Sequence, residues 1–396
     1  MTTRATNTFL SVNKPTVMYE TYFKFIQFSL DIHDGTEFSD GPASKHLDWG
    51  AFYEFAVKQT LAGVVFDGIQ KLPKEAAPDL KLLMLWFGTS RKIKIRNERM
   101  NAATAAIYSR IKESGFNCCV LKGQGNAAMY PNPLARTPGD IDIWVDASRE
   151  EIRQLAHSLT ESDGKIDDES YNHIGLTIRD VTVELHFTPG YMASPVYNKR
   201  LQKWFRDNVC TQCRNIQPLP YGAGEVAVPT APFNAVYQLC HLYHHYFYEG
   251  VGLRQIVDYY FVTINIGKDT AEAARRSLKK LGLRKFAGAM MFVLHKVMGL
   301  PKEKMIVPMD TTRGSMLLED ILNGGNFGRY NERHNWGKDT YGAAGFKHGA
   351  IGHNLLRLMR DTALLRFYPA EALSEPLFRL WHWWWRMKNG ECRMKN

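Results

Sequence analysis

The run Gly139-Asp140-Ile141-Asp142-Ile143-Trp144-Val145 sets two acidic residues into a β-branched, aromatic stretch. That composition favours a strand, and alternate side chains of a strand point to opposite faces. Asp140 and Asp142 therefore share one face, while Ile141, Ile143 and Val145 enter a core on the other. Two carboxylates side by side repel each other and cost stability unless a cation or proton offsets them. Hard divalent cations such as Mg²⁺ take oxygen ligands of this kind, usually one or two carboxylates together with substrate phosphates. Upstream, Phe116–Lys122 reads as a buried strand that breaks at Gly123, and Gln124–Tyr130 as a short helix stopped by Pro131. A glycine at such a turn lets backbone approach a ligand closely, and the helix N-terminus behind it favours anions. A phosphate-holding turn and a metal-holding Asp pair in one segment suggest nucleotide chemistry.

A third carboxylate follows from strand pairing. Residues Asn172–Phe187 read as two alternating strands around Arg179-Asp180, with Ile174, Leu176 and Ile178 forming one apolar set and Val181, Val183, Leu185 and Phe187 the other. A hairpin with this pivot pairs Ile178 with Val181, Leu176 with Val183 and Ile174 with Leu185. Its opposite face collects Thr177 with Thr182, Gly175 with Glu184 and His173 with His186. A one-residue slip would expose the apolar set, so the register is strongly specified. Arg-Asp is not a preferred two-residue turn, and a four-residue loop with the same centre keeps the pairing. Glu184 is thereby expected on a polar face opposite a glycine, with space above it. Phe116–Lys122, Asp140–Val145 and Val181–Phe187 are expected to be neighbouring strands of one sheet.

These residues resemble the nucleotidyltransferase superfamily that includes DNA polymerase β and the nucleotide-adding toxins, whose signature is hydrophobic-Gly-Gly/Ser, a spacer, and Asp-hydrophobic-Asp/Glu-hydrophobic. More narrowly, Leu121-Lys122-Gly123, Tyr130-Pro131, Arg136 and Gly139-Asp140-Ile141-Asp142 are similar to the bacterial family of uncharacterised nucleotidyltransferases. So are Glu184-Leu185-His186, the His241–His245 segment and Gly325-Asn326-Phe327-Gly328. Gln124 stands where the superfamily usually has Ser, and 15 residues separate it from Asp140. The resemblance implies an α+β fold, a small mixed sheet flanked by N- and C-terminal helical modules. It implies transfer of a nucleoside monophosphate from an NTP such as ATP to an acceptor hydroxyl, with Mg²⁺ or Mn²⁺ held by Asp140, Asp142 and Glu184. Gly123 and Gln124 would grip the β- and γ-phosphates, Lys122 and Arg136 would counter their charge, and His186 would orient Glu184 or the acceptor. The acceptor would be RNA or a protein, as for toxin-like or defence nucleotidyltransferases, or a small molecule. The alternative is a catalytically silent scaffold that binds a nucleotide or assembles at a membrane surface.

The rest of the chain bounds this reading. With 396 residues, 45% of them hydrophobic, it can bury sizeable cores. We expect a poorly patterned segment over 1–47, a helical module over 48–114 in which Asp48 caps a helix through Gly63 and helices Leu80–Arg96 and Asn97–Glu113 follow, the catalytic core over 115–225, and a helical domain over 226–396. No apolar run approaches the length of a membrane span, and the N-terminus lacks a signal-like apolar stretch. Six cysteines, two of them adjacent, suit a reducing cytoplasm. The net charge of +10 is compatible with nucleic acid but spread along the chain. Cys210-x-x-Cys213 with His241, His244 and His245 makes half a zinc pattern, which core packing explains as well. The glycine-rich Asn323–Tyr330 is a weak phosphate-contact signal. The tail Pro376–Lys388 is aromatic and basic: either its tryptophans pack on the helical domain or it contacts a membrane peripherally.

Overall fold

The computed structural model describes residues 15–39, 47–326, 358, 362 and 364–388. Among the described residues five helices come first: α1 (Pro15–Ser29), α2 (Thr36–Ser39), α3 (Trp49–Lys58), α4 (Ala62–Ile69) and the 34-residue α5 (Leu80–Glu113). Asp48 caps α3 by accepting from the Ala51 N–H at 2.9 Å. A single helix expected from Asp48 through Gly63 is instead broken at Thr60, whose φ is +55°. Conversely, the two helices expected between Leu80 and Glu113 are one.

The sheet is the α+β core. Its strands are β1 (Cys118–Val120), β2 (Ile141–Val145), β3 (Gly164–Glu169), β4 (His173–Ile178) and β5 (Val181–His186), in the spatial order β1-β2-β5-β4-β3. Only β2 and β5 run parallel, so the sheet is mixed. The crossover between them carries α7 (Arg149–Thr160), started by a capping box of Ser148 and Glu151. The expected three strands are neighbours, and the β4–β5 hairpin has the expected register at every pair from His173↔His186 to Ile178↔Val181. Its loop is shorter than expected. Arg179 and Asp180 form a two-residue turn with φ of +46° and +65°, the left-handed pair that suits strand twist. Arg179 also pairs with Asp163, holding the turn.

Ile141, Ile143 and Val145 are at most 2% exposed and pack with Val183, Leu185 and the inner face of α7. Each such side chain stabilises the sheet by about 1.5–3 kcal/mol relative to exposure. The edge strand β3 and a small ribbon of β6 (Ile216–Pro218) and β7 (Glu225–Ala227) lie outside the sequence expectation. β3 is polar and half-exposed, so it carries little apolar signal.

α8 (Pro195–Gln212) precedes the ribbon, and after β7 the helices among the described residues are α9 (Ala231–Tyr248), α10 (Leu253–Ile264), α11 (Lys268–Lys280), α12 (Arg284–Met298), α13 (Thr311–Gly324) and α14 (Pro369–Lys388). These helices share one apolar core with the N-terminal ones. Gln27 donates to the Val297 carbonyl at 2.8 Å, and Gln59 to the Ile321 carbonyl at 3.0 Å. Among the described residues no helix is long and apolar enough to cross a membrane. The Asn323–Tyr330 segment lies outside the described residues from position 327 onward.

Candidate active site

The parallel pairing of β2 and β5 sets Asp142 directly against Glu184. Asp140 immediately precedes β2, and single carboxylate oxygens of Asp140, Asp142 and Glu184 all lie within 4.8 Å of one another. The three carboxylates line one cavity between the sheet and helices α9 and α10. The polar face is less open than the sequence suggests. Asp142 is only 3% exposed, and its Oδ1 receives both Lys122 Nζ at 2.9 Å and His186 Nε2 at 2.9 Å. Burial opposes the Asp142 charge, but Lys122 and then His186 outweigh it and hold the carboxyl far below its usual range. Asp140 is pushed the other way, first by the charge of Asp142 and then by burial. The pair thus carries the electrostatic conflict expected of it.

His186 Nε2 also lies 3.2 Å from Glu184 Oε2, so one imidazole bridges two carboxylates. Burial works against its charge, yet the hydrogen bonds to Asp142 and Glu184 push its pKa up to about 9. His173 Nδ1 sits 3.6 Å from the same Glu184 oxygen, and burial together with the charge of His186 lowers its pKa. The space expected above Gly175 is filled. A Cβ there would meet Asp168 Oδ1 at 2.4 Å, because a bulge between Ile166 and Asp168 turns that carboxylate over the glycine.

The phosphate-binding side departs more from the sequence reading. Gly123 has φ +57° and ψ −108°, a conformation that favours glycine, and a Cβ there would press on the Asp140 carbonyl at 3.3 Å. The turn therefore does bring backbone against the Asp strand. The helix behind it, α6 (Gln124–Ala127), is a single turn and ends short of Tyr130, so few peptide dipoles align. The Gln124 side chain does not reach the cavity. It is 3% exposed and donates to Asn101 and, at 3.4 Å, to Asn97 on α5, so only its backbone is available to a ligand there. Asn126 lines the cavity instead and accepts from Gln238 at 2.8 Å. Lys122 is committed to Asp142 and to His241 Nε2 at 3.1 Å, so countering phosphate is not its only task.

Arg136 lies on the cavity wall and makes a fork to Asp258, Nε to Oδ1 at 2.8 Å and Nη2 to Oδ2 at 2.7 Å. Sequence reasoning missed Asp258 and Arg254, which line the same cavity. The signal was available: two charged residues one turn apart in the otherwise apolar LRQIVDYYFV of α10.

His241 and His245 meet at 2.7 Å between their Nε2 atoms, and His245 Nδ1 lies 2.8 Å from Glu249. His244 stacks on Tyr248 and sits edge-on to Tyr191. Cys210 and Cys213 are free thiols on and just after α8, and neither they nor His241, His244 and His245 belong to a metal-capable grouping among the described residues. On α14, Phe378 stacks on Tyr191 and Trp385 meets Tyr171 and the Arg149 guanidinium. Trp383 and Trp384 stay more than half exposed, so the tail packs against the loops beside the cavity with only part of its aromatic surface.

A comparison with curated protein sequences found no match. Among solved structures, the chain is similar to an antigenic nucleotidyltransferase-like protein from Paracoccidioides brasiliensis, at 13% identity and a TM-score of 0.35, over 54% of this chain and 96% of that one. Residues 45–299, which contain the strand pairing, the three carboxylates and the helices that close the cavity, match the model of an uncharacterised nucleotidyltransferase family, and the chain belongs to that family.

Proposed function

We propose that the protein transfers a nucleoside monophosphate from an NTP to a hydroxyl of an RNA, protein or small-molecule acceptor, with a divalent cation, Mg²⁺ or Mn²⁺, at Asp140, Asp142 and Glu184. The observation that carries this is the convergence of three carboxylate oxygens within 4.8 Å in a cavity where two of the groups repel. Family membership supports the same reading. The donor set is all oxygen, which fits a hard cation. When bound, the cation would neutralise charge on the phosphate oxygens and lower the cost of ionising the acceptor.

The chain's own groups take distinct parts. Glu184 is placed to accept the acceptor's proton, and His186 holds it in position by bridging it to Asp142. Lys122 keeps Asp142 ionised and so keeps the site acidic. The Gly123 turn offers backbone to the triphosphate, together with the main chain of Gln124. We propose a reducing, cytoplasmic setting, in keeping with five unbridged cysteines among the described residues.

The test is linkage. Mg²⁺ at millimolar concentration should raise the melting temperature of the wild type, and Mg²⁺ with an NTP should raise it further. If neither metal nor any NTP shifts melting, the silent scaffold replaces this reading.

A further inference from the structure

Opposite the acidic wall, the cavity has a basic one. Arg136 and Arg254 are 4% and 7% exposed, and one carboxylate, Asp258, lies between them and the helix core. Asp258 is fully engaged: it accepts the Arg136 fork and the Tyr130 hydroxyl at 2.7 Å. Arg254 donates through Nη1 to the Thr137 carbonyl at 2.9 Å. Among the described residues, Arg136 Nη1 and Arg254 Nε are buried donors with no hydrogen-bond partner. A buried donor left unsatisfied costs about 1–3 kcal/mol, and more when charged. Asp258 is the carboxylate hydrogen-bonded here, with Asp140 further along the cavity, so both guanidinium groups keep donors for a ligand. Burial and then the charge of Arg136 press down on the Arg254 pKa, and Asp258 and Asp140 offset them only in part.

The position of this pair says what anion it fits. The Arg254 guanidinium lies against Gly139, where a Cβ would come within 3.7 Å of Nη1, so it is next to Asp140 and on the far side of the Asp pair from Glu184. A monoanion would satisfy one guanidinium. An anion that reaches the free Nη1 of Arg136 and the remaining N–H groups of Arg254, and also extends to the Asp140 side, needs linked phosphates, whose oxygens guanidinium groups bind well.

We propose that Arg136 and Arg254 anchor the β- and γ-phosphates of the NTP, which become the pyrophosphate leaving group. This rests on the nucleotidyl transfer proposed above. In that step the acceptor oxygen forms a bond to the α-phosphorus while its proton passes to Glu184. The bond from the α-phosphorus to the bridging oxygen breaks, and its electron pair leaves with pyrophosphate. The negative charge that develops on the departing group falls beside Arg254, and the acceptor enters from the Glu184 side, by His173 and Tyr191.

The test is isothermal titration of the full-length protein with inorganic pyrophosphate, inorganic triphosphate, Mg·NTP and NMP, for wild type, Arg254→Gln and Arg254→Lys. Arg254→Gln should weaken pyrophosphate, triphosphate and NTP by roughly ten- to a hundredfold and leave NMP within about twofold, a selectivity that a structural defect would not produce. Arg254→Lys keeps a charge but loses the fork, and should still lose about tenfold for the same ligands while providing a second folded variant. NTP and pyrophosphate binding within twofold of wild type in either folded variant would overturn the anchor while leaving the transferase reading in place. Pyrophosphate binding that depends on Arg254 in a wild type that ignores every Mg·NTP would support the anion site and sink the transferase reading.

Discussion

Asp140 and Asp142 are two residues apart and chemically identical, yet replacing each by Asn should move stability in different directions. An exposed polar strand face would make Asp142→Asn a harmless change, but the Asp142 side chain is buried and its Oδ1 is shared by Lys122 and His186. Removing one member of a buried ion pair commonly costs 3–5 kcal/mol, because the partners are left charged and unpaired. Here the loss should be about 3–5 kcal/mol. With an unfolding entropy of about 2.1 cal/mol/K per residue, that is a fall of about 4–6 °C in melting temperature for a chain of this length. Asp140→Asn removes the carboxylate whose charge is disfavoured first by Asp142 and then by burial, so without metal it should leave stability unchanged or raise it slightly. The assay is thermal and urea unfolding by circular dichroism in EDTA, with each variant beside wild type. Equal shifts for the two variants, in either direction, would refute the assignment of Asp142 as the paired and Asp140 as the strained member.

Three further outcomes are expected. Gln124→Ala should cost about 1–3 kcal/mol by stranding Asn101, yet keep NTP affinity within about twofold, and a tenfold affinity loss at unchanged melting temperature would return the Gln124 side chain to the phosphate grip. Burial lifts Glu371 from an ordinary 4.5 to about 7, against the pull of the Ala193 and Ser194 N–H groups, so its folded form holds the proton more tightly. Its contribution, on the order of 3 kcal/mol, is full below about pH 4.5 and is lost as pH rises through about 7; Glu371→Gln should remove that slope in urea midpoints measured from pH 5 to 8, and parallel profiles would contradict it. Gly175→Val should destabilise by about 1–3 kcal/mol because its Cβ displaces Asp168, and a neutral result in urea unfolding would mean that Asp168 moves aside freely.

What was legible in the sequence was whatever burial of one face enforces. The hairpin register from His173 to His186 followed from two apolar sets that admit one pairing, and it placed Glu184 correctly without any homologue. Asp140 and Asp142 were legible for the same reason. The helical ends were less so. Thr60 breaks a run that reads as helix, and α5 bridges a point at Asn97 where two helices were expected; Asn97 is buried there and donates to the Leu134 and Arg136 carbonyls. Which atoms meet across the cavity was not legible, since Gln124 turns to α5 and Lys122 to Asp142 through contacts between distant segments. Arg254 and Asp258 stood in plain view as buried charges on an apolar helix, but their partner, Arg136, lies more than a hundred residues earlier.

The central claim is that these three carboxylates move a nucleoside monophosphate, and the most direct measurement follows the two ends of the triphosphate separately. Wild type and Glu184→Gln are incubated with Mg²⁺, cell extract and NTP labelled either at the α-phosphate or at the γ-phosphate. The account predicts that α-label enters an RNA, protein or small-molecule fraction with wild type, that γ-label appears only as pyrophosphate, and that Glu184→Gln lowers the transfer about a thousandfold or more while still binding NTP. Transfer of γ-label to the acceptor, or full α-label transfer by Glu184→Gln, would contradict it.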